Sequence, residues 1–390
     1  MSLIGQPVTV LGGGIGGLAA ARALALRGAQ VRVLEQAAEI AEVGAGLQIS
    51  PNGIAVLRAL GLEDAVIASA PRGQAVQLRD YRGAPVLRMA LPSGDARGYY
   101  LMHRADLIDI LADGARDAGV EIALDAKVSD ISFEADGFAR LRFEDGQAET
   151  PALLIGADGI NSVLRPALNG PAKPFFTGQV AWRAIVPVDV AQDPVATVYM
   201  GPGCHLVTYP LRDRRKMNIV AVQERSEWAA EGWANDDDPA NLRAAFREFA
   251  PEVQDLLARV ETVKIWGLFR HSVASRWHNA AAALVGDAAH PTLPFMAQGA
   301  NMALEDAWVL ADALAAAEDI PAGLTAYQAR RHLRVAKVIA AANANARNYH
   351  LSFPPLRAIA HMILRISGRL APQTALKRFD WIYQEDVTEV

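Results

Sequence analysis

The sequence holds a single cysteine, Cys204. A lone thiol closes no internal disulfide, so the fold does not rely on oxidation, which suits a reducing compartment. No apolar run reaches the roughly 18 residues that a membrane-spanning helix needs. The opening MSLIGQPVTVLGGG carries no Lys or Arg ahead of its apolar stretch, which makes it a poor secretory signal. The sequence therefore predicts no membrane span and a cytoplasmic location. Positive charge is not in excess: 38 Lys and Arg against 43 Asp and Glu leave a net charge of -5. Such a balance gives no electrostatic footprint for nucleic acid. The eight histidines form no HExxH or similar pair, so no metal site is predicted. Internal repeats and low-complexity segments are absent as well.

What is present is a 390-residue chain that is 52% hydrophobic, enough for about two or three domains. Pro7 to Leu11 reads as a short buried strand, and an Ala/Leu-rich helix follows a run of glycines and stops at Gly28. Val31 to Leu34 is a second strand, closed by Glu35. The apolar period thus switches from strand to helix and back, a βαβ opening. Leu101 to Ala118 is predicted helical, as are Met302 to Ala317 and much of Ala322 to Ala346. Leu153 to Ile155 and Ala283 to Val285 are further short strands, each ending in a Gly/Asp cluster. Ala75 to Leu91 and Val180 to Val222 are strand-like. At Asp236-Asp237-Asp238-Pro239 an Asp cap and a first-turn Pro start a helix.

The glycines satisfy GxGxxG through Gly12, Gly14 and Gly17. Glycine there permits a tight turn and a close approach of backbone to a pyrophosphate, and the following helix aims its N–H groups at that anion. Glu35 lies 18 positions beyond Gly17, placed to accept both hydroxyls of an adenosine ribose. Its charge disfavours a ribose phosphate, hence NADP, in this pocket. The motif alone does not separate NAD from FAD. Two later corners bear on that choice. One is Gly156-Ala157-Asp158-Gly159 with Ser162 and Arg165. The other is Gly286-Asp287-Ala288-Ala289-His290-Pro291, which leads through Gln298-Gly299-Ala300-Asn301 into a helix. A carboxylate at such a corner can hold a ribityl hydroxyl, and the helix N-terminus favours negative charge on a bound ring.

These corners resemble the DG and GD motifs of the class A flavoprotein monooxygenases, the aromatic hydroxylases. GAGLQISPNGIAVLRALGL at Gly44 to Leu62, VAWRAIVP at Val180 to Pro187 and RFDWIYQEDV at Arg378 to Val387 resemble the salicylate and 3-hydroxybenzoate 6-hydroxylase branch. The resemblance implies an α/β fold: a Rossmann-like FAD-binding domain from residues 1–71, 101–172 and 276–347, an inserted β-rich substrate domain from 72–100 and 173–275, and a helical C-terminal segment, 348–390. It implies FAD, with NAD(P)H as a transient co-substrate and O2 consumed. Gly12, Gly14, Gly17 and Glu35 would hold the AMP half, and Arg104, Gly286 and Asp287 the pyrophosphate and ribityl region. Gly299, Ala300 and Asn301 would lie beside the isoalloxazine. Asp158 and Arg165 would serve FAD and the approach of NAD(P)H.

The implied reaction hydroxylates a small aromatic acid, such as a monohydroxybenzoate or salicylate, through a flavin C4a-hydroperoxide. Such chemistry wants an electron-rich ring, hence a base for a phenolic proton, and His is the usual candidate. On the predicted strand GCHLVTYPLR, His205, Val207 and Tyr209 share one face while Cys204 faces away. His205 and Tyr209, about 13 Å apart, would bracket one small ring. Hydroxybenzoate 6-hydroxylases carry a His and a Tyr at this spacing and a Gln matching Gln298, so His205, Tyr209 and Gln298 are the catalytic candidates. Arg183, Tyr209 and Pro291 are the substrate-binding ones, Arg183 through ion pairing with a carboxylate, although it equally suits a structural place at the domain join. Gln48 reads as packing or as facing the ring. Leu356 to Phe379 is apolar with scattered Arg and Lys and suits packing on its own protein, a twin subunit or a membrane surface; a homodimer is expected only from the resemblance. The alternatives are the same flavin chemistry on a hydroxypyridine carboxylate, phenazine, urate or polyketide, an NAD-only dehydrogenase, or a non-catalytic flavin-binding protein.

Overall fold

The structure, a computed structural model, describes residues 2–40, 45–94, 97–135, 137–225, 227, 235–371 and 376–389; Gly44, which opens one of the family-like stretches, lies outside them. The chain begins by building the centre of a parallel sheet. Pro7–Leu11 is inserted between Gln30–Leu34 and Leu154–Gly156, with Glu121–Ala123 and Ala282–Leu284 at the edges. These strands are short, and the central ones are nearly all apolar, because helices cover the sheet and bury it. The first crossover helix, Ile15–Ala25, is rich in alanine. Small side chains let it lie close to the long helix Gly299–Ala316: a Cβ on Gly16 would sit 3.4 Å from that of Ala303. Gly28 ends the turn after the first helix in a left-handed conformation, φ 91°, which glycine adopts without strain.

The second sheet has eight strands, in the order Asn235–Asp237, Val263–Arg270, Phe175–Pro187, Lys216–Glu224, Cys204–Leu211, Val195–Gly201, Ala75–Asp80, Pro85–Ala90. All neighbours are antiparallel except the pair Val195–Gly201 and Ala75–Asp80. One face carries Val180, Trp182, Ala184, Leu206, Ile219 and Ala221. It packs on helices Pro239–Ala245 and Pro251–Ala258 through Leu242, Phe246 and Leu257. The first of these helices begins as the sequence implies, with the Asp238 carboxylate accepting the Ala240 N–H at 2.8 Å and Pro239 in the first turn. The other face meets the 286–300 region through Ala181, Val222, Trp266, Leu268, Leu293 and Phe295.

Two elements depart from expectation. Tyr100–His103 is a strand, and the helix begins only at Arg104. Tyr100, Leu101 and Met102 are buried on both faces of a two-stranded ribbon with Gly46–Ile49. A fully buried apolar run carries no period that distinguishes strand from helix. The three-stranded antiparallel sheet Val128–Phe133, Ala139–Phe143 and Ala148–Glu149 was not anticipated. Beyond the parallel sheet runs a 30-residue helix, Ile320–Tyr349, capped by Asp319 and ended by His350. The next helix, Pro354–Leu370, lies along Pro85–Ala90 and leaves Leu356, Ile359, Ile363, Ile366 and Leu370 exposed. No helix among the described residues is long and apolar enough to cross a membrane.

Candidate active site

A cleft starts at the glycine loop and ends under the large sheet. Its outer part, about 310 Å³, is lined by Gly12, Gly13, Gly14, Glu35, Arg104 and Asp158. Its inner part, about 540 Å³, is lined by Arg183, His205, Tyr209, Asp287 and Gly299 among others. The two parts share Gly14, Arg104, Ala157, Gly159 and Asn161, so they adjoin along a common wall.

The glycines differ in what they do. A Cβ on Gly12 would lie 2.4 Å from the Ala157 carbonyl oxygen, and one on Gly17 would lie 1.9 Å from that of Gly12. Both serve close backbone packing. A Cβ on Gly14 would meet nothing within 4 Å. Gly14 lines both parts of the cleft and caps the helix Ile15–Ala25, so the space at that helix N-terminus is open to an anion. Glu35 accepts the Gly13 N–H at 2.6 Å and the Ala37 N–H at 2.9 Å, which fixes the carboxylate in the outer part of the cleft. Arg104 opens its helix between the two parts of the cleft. Asp287 projects into the inner part, where the surrounding protein pushes its carboxyl up and His290 and Arg104 pull it back. Gly286, at φ 62°, makes the corner. This donor set suits FAD, which Glu35, Gly14, Arg104 and Asp287 would hold along the cleft.

Three expected contacts fall elsewhere, and a fourth lines the cavity with its amide already bonded. Arg165 does not line the cleft. It is buried and donates to the carbonyl oxygens of Ser272, Ala288 and Ala289, which ties the helix Leu164–Asn169 to the segment after the Gly286 corner. Asn301 is also withdrawn: its Oδ1 accepts the Ser50 N–H at 3.0 Å and its Nδ2 donates to the Gln48 and Ala297 carbonyls. Pro291 is buried off the cavity wall, while Thr292, Leu293 and Pro294 line it. Gln298 does line the cavity, but its amide is engaged by Ser50 at 3.0 Å and Asn52 at 3.2 Å. These bonds tie the start of the helix to the Ser50–Asn52 turn and leave the amide one N–H and one lone pair. Asp158 stands in the outer part and accepts the Val163 N–H at 2.7 Å and the Leu164 N–H at 3.3 Å.

On the sheet, His205, Val207 and Tyr209 all line the cavity, and Cys204 lies in the opposite core, where burial pushes its thiol up to about 12. Register then places Arg183. It is paired with Val220, which is paired with Val207. His205 and Tyr209 each lie two strands over and two residues along, so the Arg183 Cα stands about 12 Å from each of theirs, which are about 13 Å from one another. The polar side chains form a triangle around Val207 and Val220. Trp266 backs the Arg183 guanidinium at 4.9 Å from its ring centroid. Burial pushes the Tyr209 phenol well up, against the pull of Arg183, so it stays protonated. Burial and the neighbouring His350 hold His205 well below the usual imidazole range, so it stays neutral and able to accept a proton. Gln48 lines the cavity and accepts the Tyr99 hydroxyl hydrogen.

Beneath the Gly286 corner lies a buried charge network that sequence reasoning missed. Asp306 accepts the Gly286 N–H at 3.0 Å, contacts His290 Nε2 at 2.5 Å and accepts from Arg331 Nε at 2.7 Å. Glu305 pairs with Arg331 at 2.6 Å and Arg334 at 2.7 Å and accepts from Asn52 Nδ2 at 2.6 Å. The one available signal was the adjacent Glu305-Asp306 pair inside a largely apolar helix.

A family model described as FAD binding domain matches residues 6–342. The 3-amino-4-hydroxybenzoate 2-monooxygenase PtmB3 of Streptomyces platensis is 35% identical over 96% of this chain and 95% of that protein. The 3-hydroxybenzoate 6-hydroxylase of Polaromonas naphthalenivorans is 35% identical over 88% of each. Klebsiella pneumoniae HpxO complexed with FAD and uric acid superposes with a TM-score of 0.82 at 28% identity, over 94% of each chain. A salicylate hydroxylase substrate complex shares the fold, with a TM-score of 0.81 at 24% identity, over 98% of this chain and 96% of that one. Motifs, cleft and relatives agree along nearly the whole length: the chain belongs to the FAD-binding family of aromatic hydroxylases and is a flavoprotein monooxygenase.

Proposed function

We propose that this enzyme hydroxylates a benzene ring carrying one carboxylate and one phenolic hydroxyl, with Arg183 holding the carboxylate and His205 taking the phenolic proton. The observation that carries this reading is the triangle of Arg183, His205 and Tyr209 around two valines on one face of the large sheet. Its span matches a single ring plus the reach of the three side chains. The relatives named for 3-hydroxybenzoate and 3-amino-4-hydroxybenzoate act on rings of this type, which supports it.

The bound flavin, reduced by NAD(P)H, supplies an electrophilic oxygen from O2. The chain does the rest. Arg183, rigidified over Trp266, orients the ring through a paired carboxylate. His205, neutral in its buried setting, removes the phenolic proton and makes the ring electron-rich. Tyr209, still protonated, donates to an anionic oxygen at the other corner. Val207, Val220, Val222, Leu268 and Leu293 exclude water that would divert the oxygen into peroxide. The cytoplasm, where NAD(P)H is supplied, is the expected location, and light scattering decides between monomer and the expected homodimer.

The test is oxygen uptake, NADH loss and product yield from FAD-loaded enzyme across hydroxybenzoates, salicylate, hydroxypyridine carboxylates and urate. Coupled product from a hydroxybenzoate is the expected result; product from urate alone would move the reading to another ring system. His205→Ala keeps FAD and loses coupled hydroxylation by about 10²-fold or more. Unchanged yield removes His205 from the reaction.

A further inference from the structure

His205 is poorly suited to keep the proton it takes. It is fully enclosed, and burial together with His350 disfavours its charged form. A base in that position works repeatedly only if the proton leaves.

The structure shows a way out. His205 Nδ1 lies 2.6 Å from His350 Nε2. On the far side of that second ring, His350 Nδ1 lies 2.9 Å from Glu224 Oε1. The Glu224 side chain is 50% exposed, and Glu224 stands in a separate surface hollow with Gly203, Cys204, Arg247 and Glu248. The three groups therefore join the inner end of the cleft, under the sheet, to bulk water in two hydrogen-bond steps. We propose that His205, His350 and Glu224 form a proton exit path for hydroxylation, an inference that rests on His205 being the base.

The tautomers follow from the acceptor at the end. Ionised Glu224 accepts, so His350 carries its hydrogen on Nδ1 and offers a lone pair at Nε2. His205 then donates from Nδ1 and presents its Nε2 lone pair for a substrate. When the phenol O–H bond breaks, an N–H forms at His205 Nε2. The Nδ1 hydrogen of His205 passes to His350 Nε2, and the Nδ1 hydrogen of His350 passes to Glu224, which releases it to water. One proton enters and one leaves, Glu224 is again ionised, and the phenolate is the only new charge. The rings return to their first tautomers when the product regains its phenolic proton along the same path in reverse.

The setting of the middle ring supports transient positive charge there. His350 is the residue that ends the helix Ile320–Tyr349, where the unsatisfied carbonyls carry partial negative charge. Burial lowers its affinity for a proton, and Glu224 restores part of it. Gln179 Nε2 also approaches His350 Nδ1, at 3.5 Å. Tyr349, the other titratable group packed on His205, has its phenol pushed up to about 12 by burial and is not an acceptor. Around Glu224, the Cys204 thiol is held neutral by burial and by the carboxylates of Glu224 and Glu248, and Arg247 lines the same hollow.

The test uses FAD-loaded enzyme, a hydroxybenzoate that supports turnover, and a pH indicator in weak buffer. Substrate binding to the wild type releases a proton quickly, in step with phenolate absorbance. Glu224→Gln and His350→Asn slow both signals and kcat by about tenfold or more, with KM changed little and product yield falling most at low pH. Glu224→Asp recovers most of the rate. Glu224 is half-exposed, so its amide variant retains the fold even where the His350 variant does not. Full-speed proton release and an unshifted kcat–pH profile in Glu224→Gln overturn the path while leaving His205 as base. Unchanged release in His205→Ala removes the base and the path together.

Discussion

Replacing Arg331 with Met removes the cation shared by two fully buried carboxylates while nearly keeping the side-chain volume. Arg331 is 1% exposed and its two partners are 0% exposed. Glu305 retains Arg334 and Asn52, and Asp306 retains His290 and the Gly286 N–H. Breaking a buried pair from one side costs about 3–5 kcal/mol, a large share of the roughly 5–15 kcal/mol by which domains are stable. With unfolding entropy near 2 cal/mol/K per residue, a chain of this length loses about 4–6 °C in melting midpoint. The dependence on pH has a definite sign. Burial alone would raise the Asp306 carboxyl, but His290 and Arg331 outweigh it and hold it at about 2. A depressed folded-state value means that the stabilisation is complete above the ordinary carboxylate range and is lost as pH falls toward about 2. The gap between wild type and variant is therefore full at pH 7 and narrows as pH falls below about 4. Tryptophan-fluorescence melts of both proteins without added FAD, at pH 7 and at decreasing pH, measure it. Since Asp306 holds the Gly286 N–H, FAD affinity falls in parallel. Identical midpoints at pH 7, or a gap that widens in acid, refute the account.

Two further outcomes concern the ends of the cleft. Glu35→Lys places a cation where a carboxylate now fixes the Gly13 and Ala37 N–H groups, so FAD affinity falls at least about tenfold, read by flavin fluorescence titration; equal affinity contradicts the ribose role. Arg183→Met keeps the stacking volume over Trp266 but removes the charge. KM for a hydroxybenzoate rises by about 10- to 100-fold, the loss of one charge-assisted pair, while KM for the matching carboxamide changes little; equal rises for both place Arg183 in a purely structural role.

The nucleotide end was legible because its demands are local. Close backbone approach at Gly12 and Gly17 tolerates no other residue, and a strand–loop–helix order can be read in a window of a few dozen residues. His205 and Tyr209 were also within reach, since alternation along one strand assigns their faces without any tertiary knowledge. Arg183 needed register across three strands, which no window contains. His350 lies 145 residues from His205, and its meeting with Glu224 spans 126. Both depend on where a 30-residue helix ends against a sheet, so the sequence shows only a histidine without a metal partner. Arg165 and Asn301 were assigned to the cofactor by resemblance, but their polar ends answer backbone groups that only the folded corner exposes.

The strand order of the parallel sheet also sets a timetable for synthesis. Its central strand, Pro7–Leu11, is made first, yet the edge strand Ala282–Leu284 and the Gly286 corner emerge after every strand of the eight-stranded sheet. Until then the emerging chain carries the glycine loop without Asp287 or the helix from Gly299 that face the inner cleft. A truncated or stalled product thus has the glycine loop and the sheet wall of the cleft but not the wall that faces them, so the inner cleft closes only as the last third of the chain is made.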